Sequence, residues 1–241
     1  MNFSILLITG WGGGTQLLHP LKQALENHAH RVEVINIFDA FDAAVLQQNV
    51  ALARDYDVIV GWSLGGQLAA VLVNEIEKKY AEHKILITLA SNPCFVANDF
   101  WPHAMPVATF KAFKQSFEHD AISTLKRFGY MVCQGVLSTK TDLLILQSLI
   151  QPQQIQLLQQ GLVLLENLNV VDILKNYSGQ QYHLFAMQDA LVPHQVSHDL
   201  QNLAAKYLNT DTILGAHAFP VTQPLMCSDQ IYQYLRQIQS S

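Results

Sequence analysis

Val58-Ile59-Val60-Gly61-Trp62-Ser63-Leu64-Gly65-Gly66 is the stretch on which the reading of this chain turns. A short β-branched run enters a Gly-x-Ser-x-Gly pattern, and an apolar helical periodicity continues from Leu64 to Tyr80. Strand, sharp turn and helix in that order present a serine hydroxyl at the apex of the turn, where it can act as a nucleophile. The apex residue must adopt a strained backbone, and strand and helix can pass closely only if the residues two before and two after it are small. Gly61 and Gly65 meet that need, which makes Ser63 the candidate nucleophile. A glycine-rich turn with an incidental serine is the competing reading, and the strand before and helix after disfavour it.

Outward from this turn, apolar runs alternate with amphipathic stretches, the pattern of βα units around a mostly parallel sheet. Strands are expected at Ser4 to Thr9, Arg31 to Ile37, Asp57 to Gly61, Lys84 to Ala90, Tyr182 to Met187 and Thr212 to Gly215. Helices are expected at Gln16 to Asn27, Ala43 to Arg54, Leu64 to Tyr80, Pro193 to Tyr207 and Pro224 to Gln239. From about Phe100 to Asn176 no strand pattern appears, and helical spacing recurs at Val107 to Phe117, Ala121 to Tyr130 and Ile155 to Glu166. The expected organisation is therefore an α/β core of residues 1–99 and 177–241 with a helical lid, 100–176, inserted after the fourth strand. Such a lid would cover the C-terminal strand ends, where open α/β sheets bind ligands.

A serine hydroxyl needs a histidine base, held in one tautomer by a carboxylate. In chains with this turn the order is serine, then acid, then histidine. Among ten histidines, His217 fits best, because Gly215-Ala216-His217-Ala218 follows the last expected strand; His194 and His198 fall on an expected helix. Asp189 follows the strand ending at Met187 and precedes Leu191-Val192-Pro193, a helix start. Its rivals, Asp172 and Asp211, follow no strand in the required place, and helix capping is the alternative role for Asp189. The oxyanion donors should be the amides of Leu64, after the serine, and Trp11, in the loop Thr9-Gly10-Trp11-Gly12-Gly13-Gly14 after the first strand.

Composition narrows the function classes further. The 241 residues are half apolar and 14% charged, enough for one sizeable core, and a net charge of -5 with scattered cations excludes a basic face for nucleic acid. The glycine loop lacks the phosphate-binding lysine and a clean dinucleotide spacing, and no cluster has metal-ligand spacing, so no cofactor and no metal are expected. Met1 to Thr9 has no basic lead-in or cleavage site, and no apolar run approaches the roughly 20 residues that span a bilayer. Cys94, Cys133 and Cys227 form no paired spacing. A monomeric cytoplasmic protein with reduced cysteines and a small apolar substrate is the expectation.

Beyond the turn at 61–66, the chain carries Gly10-Trp11-Gly12, Ser91-Asn92-Pro93-Cys94-Phe95 followed by Trp101-Pro102, and Lys126-Arg127-Phe128. It continues with Gly161-Leu162, Val171-Asp172-Ile173-Leu174, Asp189-Ala190-Leu191-Val192-Pro193 and Ala216-His217-Ala218. Together these resemble the pimeloyl-(acyl-carrier protein) methyl ester esterases of biotin synthesis, a family of α/β-hydrolases, over nearly the whole chain. The resemblance implies hydrolysis of a carrier-bound methyl ester, with Ser63 as nucleophile, Asp189 as acid, His217 as base, and Trp11 and Leu64 holding the oxyanion. It also implies substrate contacts along Phe128, Gly129, Tyr130, Met131 and Val132, and an acyl-carrier protein as partner, for which Arg127 is the cation singled out among Lys111, Lys114, Lys126 and Lys140. The chain departs from the family in having Thr9 where a histidine precedes Gly-Trp-Gly, and in having few lid cations.

A broad short-chain carboxylesterase or thioesterase is the nearest alternative, and a non-catalytic hydrolase-fold protein that binds a small ligand is the alternative of another class. An aspartate at the turn, which dehalogenase or epoxide hydrolase chemistry would require, is absent.

Overall fold

A computed structural model describes residues 2–240; Met1, the first residue of the expected opening strand segment, lies outside them. Six strands form one parallel sheet: β1 (Ser4–Ile8), β2 (Arg31–Ile35), β3 (Val58–Trp62), β4 (Ile85–Leu89), β5 (Gln181–Ala186) and β6 (Leu208–Ile213), in the order β2-β1-β3-β4-β5-β6. The central strands read as unbroken apolar runs because both faces are covered. Alternate residues of β1 enter different cores: Ile5 and Leu7 pack on one face and Leu6 and Ile8 on the other.

Helices α1 (His19–Glu26), α10 (Phe219–Thr222) and α11 (Pro224–Gln239) lie on the first of those faces. Helices α2 (Ala43–Arg54), α3 (Leu64–Tyr80) and α9 (Val196–Asn202) cover the other. The chain between β4 and β5 holds α4 (Val107–His119), α5 (Ala121–Cys133), α6 (Thr139–Leu149), α7 (Ile155–Asn167) and α8 (Val171–Asn176). Its two ends are tied together by Gln67, a fully buried side chain of α3, whose Nε2 donates to the carbonyls of Pro93 and Leu168, each at 2.9 Å. No helix among the described residues is long and apolar enough to cross a membrane.

Helices α2, α3 and α11 keep the bounds expected from periodicity, and β1 to β5 shift by a residue or two. Helices α4, α5 and α7 run one to three residues past their expected ends, α6, α8 and α10 form where no bounds were expected, and three of the expected core elements differ more. Strand β6 begins at Leu208 and ends before Leu214, because it is an edge strand with polar Asn209, Thr210 and Asp211, which hides its start. Helix α9 spans only Val196–Asn202, since Ala204 takes a positive φ of 54° that ends the helical path; His198 sits on it and His194 precedes it. The stretch from Gln16 opens as a 3-10 turn, Thr15–Leu18, before α1 begins.

Strand order reverses between β1 and β3, and the loops leaving their C-terminal ends flank the crevice that such a reversal opens. Ser63 leaves one of these ends and the glycine loop leaves the other.

Candidate active site

Ser63 caps the N-terminus of α3 with φ 56° and ψ -124°, a left-handed backbone that a non-glycine residue holds only when its surroundings enforce it. Its amide donates to the Leu89 carbonyl of the neighbouring strand at 2.9 Å and its carbonyl accepts from Gly66 at 2.9 Å. The flanking glycines permit this crossing. A Cβ on Gly61 would stand 2.0 Å from the Gly65 carbonyl oxygen, and one on Gly65 would stand 2.4 Å from the Ile8 and Thr9 carbonyl oxygens, so β3, α3 and β1 meet backbone to backbone.

His217 lies in the loop after β6. Its Nδ1 is 2.8 Å from Asp189 Oδ2, and both side chains are 1% exposed. The other carboxylate oxygen of Asp189 accepts from the amides of Leu191 at 2.8 Å and Val192 at 2.9 Å, so the acid is fixed by the turn that follows β5. Trp62, next to the serine, donates Nε1 to the His217 carbonyl at 3.0 Å, and the Ala218 amide donates to the Val132 carbonyl of α5 at 2.9 Å. The histidine loop is thus held from the strand below and the insertion above.

Ser63 and His217 line one chamber of about 40 Å³, walled by Trp11, Phe110, Phe128 and Leu191 among others. His217 Nε2 is buried there without a hydrogen-bond partner among the described residues, and Ser63 Oγ makes no hydrogen bond to it. In unliganded hydrolytic sites this bond is often long and tightens when substrate arrives. The amides of Trp11 and Leu64, the expected oxyanion donors, take part in no backbone hydrogen bond among the described residues.

A second cavity of about 230 Å³ opens beyond Trp11 and Phe128, which border both spaces and meet edge to face at 5.0 Å between ring centres. Its walls are chiefly apolar, among them Leu17, Ile122, Leu125, Phe128 and Val132, with Lys126, Gln147, Gln151 and Gln153 as the polar lining. Of the contacts expected along α5, Phe128, Gly129 and Val132 line this space. Tyr130 points outward, 49% exposed, and Met131 and Arg127 do not line it; Arg127 donates to Thr124 Oγ1 at 3.1 Å. Helical geometry explains the split, since residues 125, 128, 129 and 132 share one face while 127, 130 and 131 turn away.

Residues that sequence reasoning did not single out complete the walls. Phe110, Met105 and Leu165 sit on or before insertion helices whose periodicity announces burial but not which chamber they face. Leu191, two residues past Asp189, also lines the chamber, and its place after β5 is the signal that could have pointed to it.

Rival nucleophiles are held inactive. Burial, and secondarily the Asp142 carboxylate, pushes the Cys133 thiol up to about 12, and burial raises Cys94 as well, so neither forms a thiolate near neutrality. All three cysteines are free and buried. No group of three or more histidine, cysteine or carboxylate side chains with metal-binding placement occurs among the described residues.

The fold is that of the α/β-hydrolases. The chain superposes on a bromoperoxidase from Bacillus anthracis with a TM-score of 0.82, at 15% identity, covering 98% of this chain and 92% of that one. An esterase from Exiguobacterium antarcticum gives a TM-score of 0.80 at 14% identity, covering 97% and 91%. In sequence the chain is similar to the pimeloyl-[acyl-carrier protein] methyl ester esterases of Salmonella paratyphi A and Salmonella typhi, each 27% identical over 234 residues, 92% of this chain and 90% of theirs. No protein-family model matches.

Proposed function

We propose that this protein hydrolyses the methyl ester of a pimeloyl group borne on acyl-carrier protein, releasing methanol. The chain is a carboxylic ester hydrolase, and its relatives carry that activity in their names. The observation that carries the mechanism is His217, tied through Nδ1 to Asp189 and left with an unpartnered Nε2 in the chamber it shares with Ser63.

In this mechanism Ser63 Oγ attacks the ester carbonyl while His217 Nε2 takes its proton. The oxyanion forms against the amides of Trp11 and Leu64. The imidazolium then protonates the departing methoxide, and methanol leaves an acyl-serine. Water attacks that acyl group, His217 takes the water proton and returns it to Ser63, and the free carboxylate departs. No step calls on a cofactor. The acyl chain runs from the small chamber past Trp11 and Phe128 into the apolar cavity, where burial of each methylene contributes about 0.8 kcal/mol. We place the enzyme in the cytoplasm as a monomer, a reading supported by its three free thiols.

A second reading, a broad short-chain carboxylesterase or thioesterase, draws support from the insertion's cations. Lys114 is paired with Glu166, which leaves Lys111, Lys126, Arg127, Lys140 and Lys175 as the charges to meet an acidic carrier. Turnover of pimeloyl-carrier methyl ester beside free methyl and p-nitrophenyl esters decides between them. The proposal expects the carrier-bound ester to give the higher kcat/KM and Ser63→Ala to abolish turnover with the fold intact. Equal or better use of free short esters favours the second reading, and activity retained by Ser63→Ala overturns both.

A further inference from the structure

The loop that carries the Trp11 amide is held by a closed circuit of uncharged hydrogen bonds. Thr9, at the end of β1 and fully buried, donates Oγ1 to Asn36 Oδ1 at 2.9 Å, and that same oxygen accepts from the Ile37 amide at 2.9 Å. Asn36 Nδ2 donates to Gln153 Oε1 at 2.6 Å. Gln153 Nε2 in turn donates to the carbonyls of Gln151 at 3.0 Å and Pro152 at 3.2 Å. Gln151 closes the path: its amide donates to the Gly13 carbonyl at 3.0 Å, and its Oε1 accepts from the Gln16 amide at 3.3 Å.

The circuit starts where the loop leaves β1, passes the end of β2, crosses to the connection between α6 and α7, and returns to the far side of the same loop. Residues Gly10 to Gly13 lie inside it. The side chain of Trp11 is fastened to the next helix as well, its Nε1 donating to the Leu158 carbonyl at 2.8 Å. Gln153, like Asn36, uses its side-chain oxygen and nitrogen at once, and it joins Asn36 at the end of β2 to the connection between α6 and α7. Leucine would make neither bond, and glutamate would aim a carboxylate oxygen at two carbonyls.

We propose that Gln153 is a positioning residue that fixes the glycine loop, and with it the Trp11 amide, in the orientation that receives the oxyanion. The proposal rests on the Ser63 mechanism above. A missing oxyanion donor lowers kcat by roughly 10²–10³, and a misplacement of about 1 Å by as much as 10². Loosening the loop from one side should therefore lower kcat about tenfold, while KM, set by the cavity walls, stays within about twofold.

The test compares the full chain with Gln153→Leu and Thr9→Val, using p-nitrophenyl butyrate and an alkyl trifluoromethyl ketone that forms a tetrahedral adduct with an active serine. Thr9→Val opens the circuit at its other end without touching the large cavity, and it carries the test if Gln153→Leu fails to fold. The expected result is a fall in kcat for both variants, smaller for Thr9→Val, with inhibition by the ketone weakened by the same factor as kcat and with KM little changed. An unchanged kcat in both, or a rise in KM confined to Gln153→Leu, overturns the proposal and leaves Gln153 as cavity wall. Labelling of wild-type Ser63 by a fluorophosphonate reports separately on the serine mechanism. If the wild type does not label, that mechanism fails whatever Gln153 does.

Discussion

Replacing Asp189 by asparagine separates the electrostatic part of the site from its architecture. Oδ1 of Asp189 accepts from two backbone amides, Leu191 at 2.8 Å and Val192 at 2.9 Å, and Oδ2 faces His217 Nδ1 at 2.8 Å. An asparagine keeps the two amide bonds only if its oxygen takes the Oδ1 place, which turns its NH2 toward His217. Nδ1 must then accept, so the ring proton moves to Nε2, and the imidazole can no longer take a proton from Ser63. Loss of the base by tautomer inversion costs about 10⁴ in kcat in a well-characterised serine protease, equivalent to roughly 5.4 kcal/mol at 1.36 kcal/mol per decade. Stability should change by less than about 1 kcal/mol, because every hydrogen bond keeps a partner. Asp189→Ala should instead strand the part-buried amides of Leu191 and Val192, costing up to about 1–3 kcal/mol for each group left unpaired. Steady-state hydrolysis of p-nitrophenyl butyrate and urea denaturation followed by circular dichroism measure the two quantities. Asp189→Asn retaining activity within tenfold of wild type would refute the assignment of Asp189, and destabilisation as large as that of Asp189→Ala would refute the bond-by-bond argument.

Further outcomes follow from the same contacts. Gly61→Ala places a Cβ 2.0 Å from the Gly65 carbonyl oxygen, so β3 and α3 must separate; a loss of at least about 1–3 kcal/mol in urea unfolding is expected, together with a large fall in kcat. Trp62→Phe deletes the donor to the His217 carbonyl, and should lower kcat in p-nitrophenyl ester hydrolysis while costing about 1–3 kcal/mol for the unpaired buried carbonyl; wild-type kcat would remove Trp62 from the support of His217. His183, fully buried beside Thr88, is pushed by desolvation from 6.5 down to about 3. The unfolded chain binds its proton first, so stability should fall as pH drops below about 6.5, by up to about 1.4 kcal/mol per unit, with His183→Gln showing a shallower slope in urea titrations between pH 7 and 5.

Sequence carries the geometry of the candidate site wherever one local rule demands a residue type. The crossing of β3 over α3 excludes a side chain at 61 and 65, so the turn shows as glycines around Ser63. Helix α3, buried on most sides, shows as an apolar run of the right length, with bounds that match the structure. Edge strand β6 and helix α6 are harder to read for complementary reasons. β6 buries little, so its polar residues resemble a loop, whereas the unbroken Leu143-Leu144-Ile145-Leu146 run of α6 hides the helical spacing that marks its neighbours.

The meeting of Asp189 and His217 is legible because each follows a strand end, but what holds them is not. The Ala218 amide bonds the Val132 carbonyl, and any residue but proline at 218 could make that bond, so it leaves no mark on the side chains. The expected substrate contacts show the same division. The resemblance implies contacts along the whole run 128–132, yet a helix can turn only part of such a run toward one cavity, and Phe128, Gly129 and Val132 are the part it turns. The Thr9, Asn36 and Gln153 circuit is the most hidden. Its members are polar residues in or beside loops, separated by up to 144 positions between Thr9 and Gln153, and nothing in the sequence links them until the fold brings the Thr9 hydroxyl and the two side-chain amides within reach. Chemistry that depends on one residue type at one strand end can therefore be read locally. The support that aims it is distributed among backbone groups and neutral amides, where substitution at a distance can lower the rate without touching Ser63, His217 or Asp189.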